Sequence, residues 1–484
     1  MKRRSFLVLV TSVLLVLPRA AAAEENWPQW RGPSANGTAN STNLPTNWSA
    51  TENVVWKAEL PHWSGGTPVI WGDRIFVTSP SKPAVAAAAE PAGQSAATPL
   101  PNGQRVDALM QGQPGQGERR GPGRRGPGRG RGGGRDPGGQ QLLLLCLSRQ
   151  DGSLLWQREL DSGNELKMKQ NNSSPSPVTD GTYVWAVTGN GVVTALDVSN
   201  KIVWRRNLQD DYGDFGLNWG YASSPLLYDG KLILQVLHGM KTDDPSYVVA
   251  LDSKTGKPVW RVERPTDAVS ESPDAYTTPA VVKAGGQTQI VVSGGDYVTG
   301  HDPATGREIW RAGGLNPGKQ RNYRVVASPT IVGEMIFAPS RKAPLLALRA
   351  GGTGDVTESQ RAWAFTQNGA PDVPSPVSDG KYFYMVDDSG IASCLDVQTG
   401  QRIWGPQRTA PGTVSSSLVM ADGKLYIINE NAVTTVLAAG PEFKSLATNE
   451  LDGSYTLSSP AVAGNQLFIR TGTHLYCIGN AAAP

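Results

Sequence analysis

Apolar residues in this chain come in short runs separated by turn residues. Between residues 223 and 263 four such runs follow one another, at 225–228, 231–237, 247–251 and 258–263. Val, Ile, Leu and Tyr dominate them, which is the composition of strands. Asp229-Gly230 joins the first two, a two-residue hairpin signal because both central positions of that turn take positive φ. Thr255-Gly256 turns between the last two. The pattern predicts a four-stranded antiparallel unit.

The unit recurs along the chain. A small residue followed by proline opens it at Pro68, Pro177, Pro225, Pro279, Pro329, Pro376 and Pro460, and Ser417 takes the place of the missing proline in one further copy. Starts lie 41–54 residues apart, except for a first interval of 109 that holds a 60-residue insertion at 81–140. Asp-Gly pairs recur at 180–181, 229–230, 379–380 and 422–423. A closing Asp-x-x-Thr-Gly-x-x-x-Trp runs from Asp252 to Trp260, Asp302 to Trp310 and Asp396 to Trp404, with degenerate copies ending at Trp156, Trp204 and Trp363. Four strands in about 40–50 residues make one propeller blade. The last copy ends three strands in, at 474–478, and residues 53–60 carry the missing closing-strand pattern. The predicted fold class is all-β: an eight-bladed β-propeller of four-stranded antiparallel blades over 53–479, its ring closed by an N-terminal strand. The seventh copy is the most degenerate.

Composition agrees. The chain of 484 residues has 56 Gly, 14 Trp and only 18% charged residues, which suits many tight turns and argues against a helical bundle. With 45 basic and 42 acidic residues the net charge is +3, too balanced for a nucleic-acid partner of the whole chain. The repeated Trp positions are expected to pack blade against blade. Cys146, Cys394 and Cys477 occupy the slot that holds Ala195 and Ala250 in other copies, so they are expected as separate buried thiols. His301 replaces a Leu in its copy and is expected to be packed.

Two segments stand outside the repeats. Residues 1–23 combine Lys2, Arg3 and Arg4 with an apolar run and the small residues Ala20 to Ala23, the pattern of a signal peptide. Arg3-Arg4-Ser5-Phe6-Leu7 resembles the twin-arginine motif, and the apolar run suits the general export route equally. No cysteine lies near the cleavage site, so no lipid anchor is expected, and no later stretch is long and apolar enough to span a membrane. The expected location is the periplasm or the outside of a bacterial cell envelope. Residues 24–52 form a lead into the propeller. The insertion at 81–140 has 15 Gly and 8 Pro in 60 residues and no aromatic side chain, so it is expected to be disordered. Its net charge of +5 suits contact with anionic envelope polymers. Gly121-Pro122-Gly123-Arg124-Arg125-Gly126 matches a dinucleotide fingerprint only in letters, since no strand precedes it and no helix follows.

Chemistry is sparse. The four histidines, 62, 238, 301 and 474, form no zinc pair, and there is no G-x-S-x-G or C-x-x-C-H. Asp210, Asp211 and Asp214 do not follow a Ca²⁺-loop spacing and are expected in a solvated turn. No catalytic residue and no metal ligand is assigned. The loops before the unit starts carry the candidate ligand or partner face: His62, Trp63, Trp219, Tyr221, Tyr276, Arg321, Tyr323, Arg324 and Tyr455. Converging aromatics and arginines would suit a polar ligand or an envelope protein or peptide.

The repeat, with its Ala250-Leu251-Asp252 to Trp260 closing strand, resembles the pyrroloquinoline-quinone-like (PQQ-like) β-propeller repeat family. The stretch Trp27-Pro28-Gln29-Trp30-Arg31-Gly32-Pro33 resembles the start of secreted bacterial members. The resemblance spans 53–80 and 141–479. It implies one of two activities. One branch, similar to the outer-membrane assembly propeller BamB, is non-catalytic and scaffolds envelope proteins. The other contains quinoprotein alcohol dehydrogenases, which bind PQQ and Ca²⁺ on the axis beneath an adjacent Cys-Cys disulfide. No two cysteines are adjacent here. The expectation is therefore a BamB-like binding protein without a cofactor, with a PQQ- and Ca²⁺-dependent dehydrogenase as the alternative.

Overall fold

The computed structural model describes residues 26–83 and 135–480. The segment read as a signal peptide, and 84–134 of the 81–140 insertion, lie outside the described residues. The chain divides into a main unit, residues 1–82 and 137–484, and a second unit, residues 83–136. All contacts below belong to the main unit.

Eight antiparallel blades span 69–162, 178–207, 226–263, 280–312, 330–365, 377–408, 419–450 and 461–479, the last completed by Val54–Glu59. The closing strand pairs with His474–Gly479 in the register Trp56↔Cys477, Ala58↔Leu475 and Glu59↔His474, as the repeat count requires. A fifth strand, Gly354–Asp355, pairs parallel with Glu308–Ala312 at the rim of blade 4, and Thr38–Ala39 pairs parallel with Val419–Ala421 in blade 7. The described residues include one short helix, Leu208–Tyr212. Middle strands are buried on both faces because each blade lies between two others. Leu142 to Leu147 are all buried, whereas Val54–Glu59 at the rim alternates.

The closing motif explains itself in the packing. The indole N–H of Trp56, Trp156, Trp204, Trp260, Trp363 and Trp404 donates to a carbonyl in the next blade: Arg149, Val198, Ser253, Pro303, Val397 and Gly440 respectively. On Trp204, Trp260 and Trp363 the glycine of the next blade's Thr-Gly turn lies flat on the indole, and Gly152 of an Asp-Gly turn does the same on Trp56. At Gly256, where φ is +68°, an added Cβ would stand 2.6 Å from Trp204. The motif Asp caps the same turn: Asp252 Oδ1 accepts from Thr255 N at 2.8 Å and Thr255 Oγ1 at 2.7 Å. Across the ladder each of these six tryptophans, and Trp310, whose indole N–H instead donates to Gln289 Oε1 in its own blade, faces a small residue: Cys477, Cys146, Ala195, Ala250, Ala347, Cys394 and, for Trp310, Gly300. This is why the three cysteines share one slot. All are buried free thiols, and burial pushes each up to about 12. His301 is packed too, with its ring nitrogens at Gly306 O and Thr299 Oγ1 and its pKa lowered to about 4 by burial.

Three details differ from the sequence pattern. In blade 7, Leu418 rather than Ser417 stands where the other blades have proline, because Ser417 takes the preceding serine's hydrogen-bonding role. The Asp-Gly pairs are of two kinds. Asp229-Gly230 and Asp422-Gly423 have positive φ at both residues, but at 180–181 and 379–380 only the glycine does. There the aspartate caps a longer turn, Asp180 Oδ1 accepting from Thr182 N and Tyr183 N. Finally, the described part of the lead, residues 26–52, belongs to the fold. It covers the degenerate blade 7, with Trp48 against Tyr426 at 6.3 Å, Trp48 N donating to Asn449 and Tyr426 Oη donating to Pro45 O.

Candidate binding site

The residue before each unit-opening proline builds the wall of the axis. Its backbone N–H donates to the hydroxyl of the equivalent residue one blade on. Thr67, Ser176, Ser224, Thr278, Ser328, Ser375, Ser417 and Ser459 are linked in this way by seven bonds of 2.8–3.1 Å. The eighth junction, where the chain ends meet, is built differently. Ser458 Oγ and Arg470 Nη1 both donate to Gly66 O, and Arg470 Nη2 donates to His62 O.

The lead closes one end of the axis. Trp27 pairs with Ile70 in blade 1, and Pro28 O accepts Thr179 N in blade 2. Trp30 shares a small cavity with Pro225, Pro279 and Pro329 of blades 3, 4 and 5. The buried Arg31 donates to Pro376 O in blade 6 and to Asn36 O. Gly32, at φ +77°, packs its Cα against the Trp27 ring, where an added Cβ would stand 2.7 Å away. This crossing is what the Trp-Pro-Gln-Trp-Arg-Gly-Pro stretch does.

Above Trp30 lies a cavity of about 410 Å³, the size of a small-ligand pocket. Its wall includes Ser176, Ser224, Thr278, Ser375, Ser417 and Ser459. Its mouth is ionic. Trp219 Nε1 donates to Glu271 Oε1 at 2.6 Å, and Arg324 lies 3.9 Å from Glu271 and 3.3 Å from Asp372. Arg341 stands 3.8 Å from Asp372. Burial, reinforced by the Asp372 charge, pushes the Asp388 carboxyl up to about 6. A small hairpin, Leu166–Lys167 with Gln170–Asn171, lies across the mouth. Lys169 reaches Glu430 of blade 7 at 2.7 Å, Gln170 Nε2 donates to Trp219 O, and Tyr455 Oη donates to Lys169 O. Met168 at its tip is exposed.

Of the nine candidate face residues, Trp219, Tyr276 and Arg324 come together in this cavity. Trp219 N donates to Tyr276 Oη at 3.0 Å, and burial pushes the Tyr276 phenol far up. His62, Trp63 and Tyr455 form a second aromatic group at the blade 8–blade 1 seam, Trp63 meeting Tyr455 edge-on at 5.3 Å. Tyr221 and Tyr323 are buried inside their loops, Tyr221 against Phe215 at 4.8 Å and Tyr323 donating to Ala343 O. Arg321 is exposed away from the cavity. The sequence reading missed Trp30, the hairpin and the hydroxyl ring. The recurring Ser or Thr before each proline was the available signal for the ring.

The acids around the cavity are held apart, Glu271 by Trp219 and Arg324, Glu430 by Lys169, Asp388 by the Val373 N–H. Among the described residues no three His, Cys, Asp or Glu side chains group as a metal donor set. Asp210 and Asp211 lie in the short helix, Asp211 paired with Arg206.

Eight four-stranded repeats around a walled axis define a β-propeller of the PQQ-like repeat class. The family model described as "Outer membrane protein assembly factor BamB" matches residues 141–406 and 322–481, and the chain belongs to that family. An outer membrane protein assembly factor BamB of Bordetella pertussis is 21% identical over 307 residues, covering 61% of this chain and 69% of that protein. A quinohemoprotein alcohol dehydrogenase, ADH-IIG of Pseudomonas putida, is 30% identical over 132 residues, 25% of this chain and 16% of that enzyme. The solved structure of a europium-containing methanol dehydrogenase superposes with a TM-score of 0.62 at 11% identity, covering 93% of this chain and 90% of that one, a likeness of fold. No helix among the described residues is long and apolar enough to cross a membrane.

Proposed function

We propose that this chain is a binding propeller of the bacterial cell envelope, holding an envelope protein or peptide at the open end of its axis without catalysis. The observation that carries the reading is the blind axial cavity, floored by Trp30 and rimmed by Trp219, Tyr276 and Arg324. Aromatic and arginine side chains on rigid elements are the usual anchors of protein recognition. Membership of the BamB family supports the same reading, as does the signal-peptide pattern of residues 1–23. The Arg-rich insertion would add contact with anionic polymers of the envelope. The test is co-purification of the tagged mature chain from an envelope extract. A partner recovered with the parent chain is expected to be lost with Trp219→Ala or Arg324→Ala while the denaturation midpoint is kept. Recovery unchanged by both substitutions would remove the mouth from the reading.

A PQQ-dependent alcohol dehydrogenase is the second reading, favoured by the match to ADH-IIG and the likeness to the methanol dehydrogenase. The quinone would supply two-electron oxidation of an alcohol. Addition of PQQ and Ca²⁺ followed by a bound-quinone spectrum and dye-linked alcohol oxidation would establish it. Neither signal is expected, because the acids at the mouth are already committed to other partners.

A further inference from the structure

The wall of the cavity is chemically one-sided. Each hydroxyl of the ring except that of Thr67 accepts one backbone N–H, so its own proton remains to be donated. None of the six hydroxyls that line the cavity donates to a protein acceptor among the described residues, and all six residues are at least nine-tenths buried. A buried donor without an acceptor is costly. Six on one wall call for something oxygen-rich between them. Four cations line the same cavity, Lys167, Lys169, Arg324 and Arg341; Glu165, Glu430, Glu271 and Asp372 pair with them, and Asp388 is a further acid of the wall. Arg324 Nη1 and Arg341 Nε are themselves buried without a hydrogen-bond partner, Arg341 Nε lying 3.8 Å from Asp372. The chemistry selects an oxyanion. The shape selects an end, since Trp30 and the lead block passage along the axis and leave a single way in past the hairpin.

We propose that the axial cavity receives the carboxylate end of a chain, with the oxyanion inside the hydroxyl ring and the chain leaving past Trp219. This deepens, and rests on, the reading of the mouth as a binding site. The carboxylate could belong to a polypeptide C-terminus or to a small free acid, and one titration separates them.

The experiment is calorimetric titration of the mature full chain with three probes: Ala-Ala-Ala as the free acid, the same tripeptide as its C-terminal amide, and succinate. The free acid is expected to bind at least tenfold more tightly than the amide. Ser375→Ala with Ser417→Ala is expected to weaken it by a similar factor. Ser375→Thr with Ser417→Thr should restore it, since threonine already serves at position 278, and this pair guards against a folding defect in the alanine variant. Succinate binding without tripeptide binding would retain the carboxylate site and assign it to small acids. Equal affinity for acid and amide, or affinity unchanged by hydroxyl removal in a chain of normal midpoint, would overturn the proposal. An envelope partner that is lost with Trp219→Ala yet is not displaced by the free acid would leave the binding propeller standing and remove the carboxylate from it.

Discussion

The rim and the mouth of this propeller are built on opposite principles. At the rim one solution is copied: six tryptophans reach the next blade's turn through one hydrogen bond each, and where the motif is intact a glycine lies beneath the ring. At the mouth nothing is copied. Trp219, Arg324, Arg341, Asp388 and the Leu166–Asn171 hairpin each come from a different connection and meet once. Repetition here carries stability, and departure from repetition carries recognition. The contrast predicts that damage at the two places has separable consequences.

The largest effect is expected at the rim. Trp204→Ala removes a buried indole, and large aromatic truncations cost about 3–5 kcal/mol. Chemical denaturation should show that loss, with binding at the mouth intact below the transition. Gly256→Ala comes next. It combines a φ of +68° with a clash against Trp204, and strain of this kind costs about 1–3 kcal/mol. In a Trp204→Ala background the clash disappears and only the backbone term remains, so a double-mutant cycle should show strong coupling. Additive effects would mean that the turn glycine and the indole do not share one packing site.

The third prediction concerns pH at the mouth. Burial holds the Asp388 carboxyl at about 6, above the ~3.9 of an unfolded aspartate. The native chain therefore binds the extra proton between those values, and stability contributed at this site falls as pH rises from about 4 to about 6. Asp388→Asn should flatten that part of the stability profile. Asp274, held near 6 by its own burial, gives a residual slope of the same sign. A profile unchanged by the substitution would contradict the burial of Asp388. The smallest effect is expected for Lys82→Ala. Its pair with Glu59 is 2.6 Å long but both side chains are largely exposed, so no shift in the denaturation midpoint should be measurable.

The same contrast explains what the sequence made readable. Trp260, Gly256 and Asp252 could be interpreted because each does one job in several copies, so spacing alone exposed the blades and the closure by Val54–Glu59. Ser224 and its equivalents were visible only as small residues before proline; their ring of hydrogen bonds needs all the blades in place. Leu418 shows the limit of spacing: a single lost proline moved the apparent start by one residue. Tyr221 and Tyr323 looked like surface aromatics, yet long loops over a blade top need a core of their own and used them for it. Trp30 and Arg31 sit in a stretch without an internal repeat, and the task of crossing the axis leaves no periodic trace.

The separation of rim from mouth is tested most directly by one recovery measurement on matched variants. Tagged chains carrying Trp219→Ala with Arg324→Ala at the mouth, or Val259→Ala with Ile403→Ala at exposed rim positions, would be used to recover partners from envelope extract. The mouth variant is expected to lose the partner and the rim variant to keep it, with both midpoints near the parent value. Loss of the partner by the rim variant, with recovery by the mouth variant, would contradict the assignment of recognition to the axial opening.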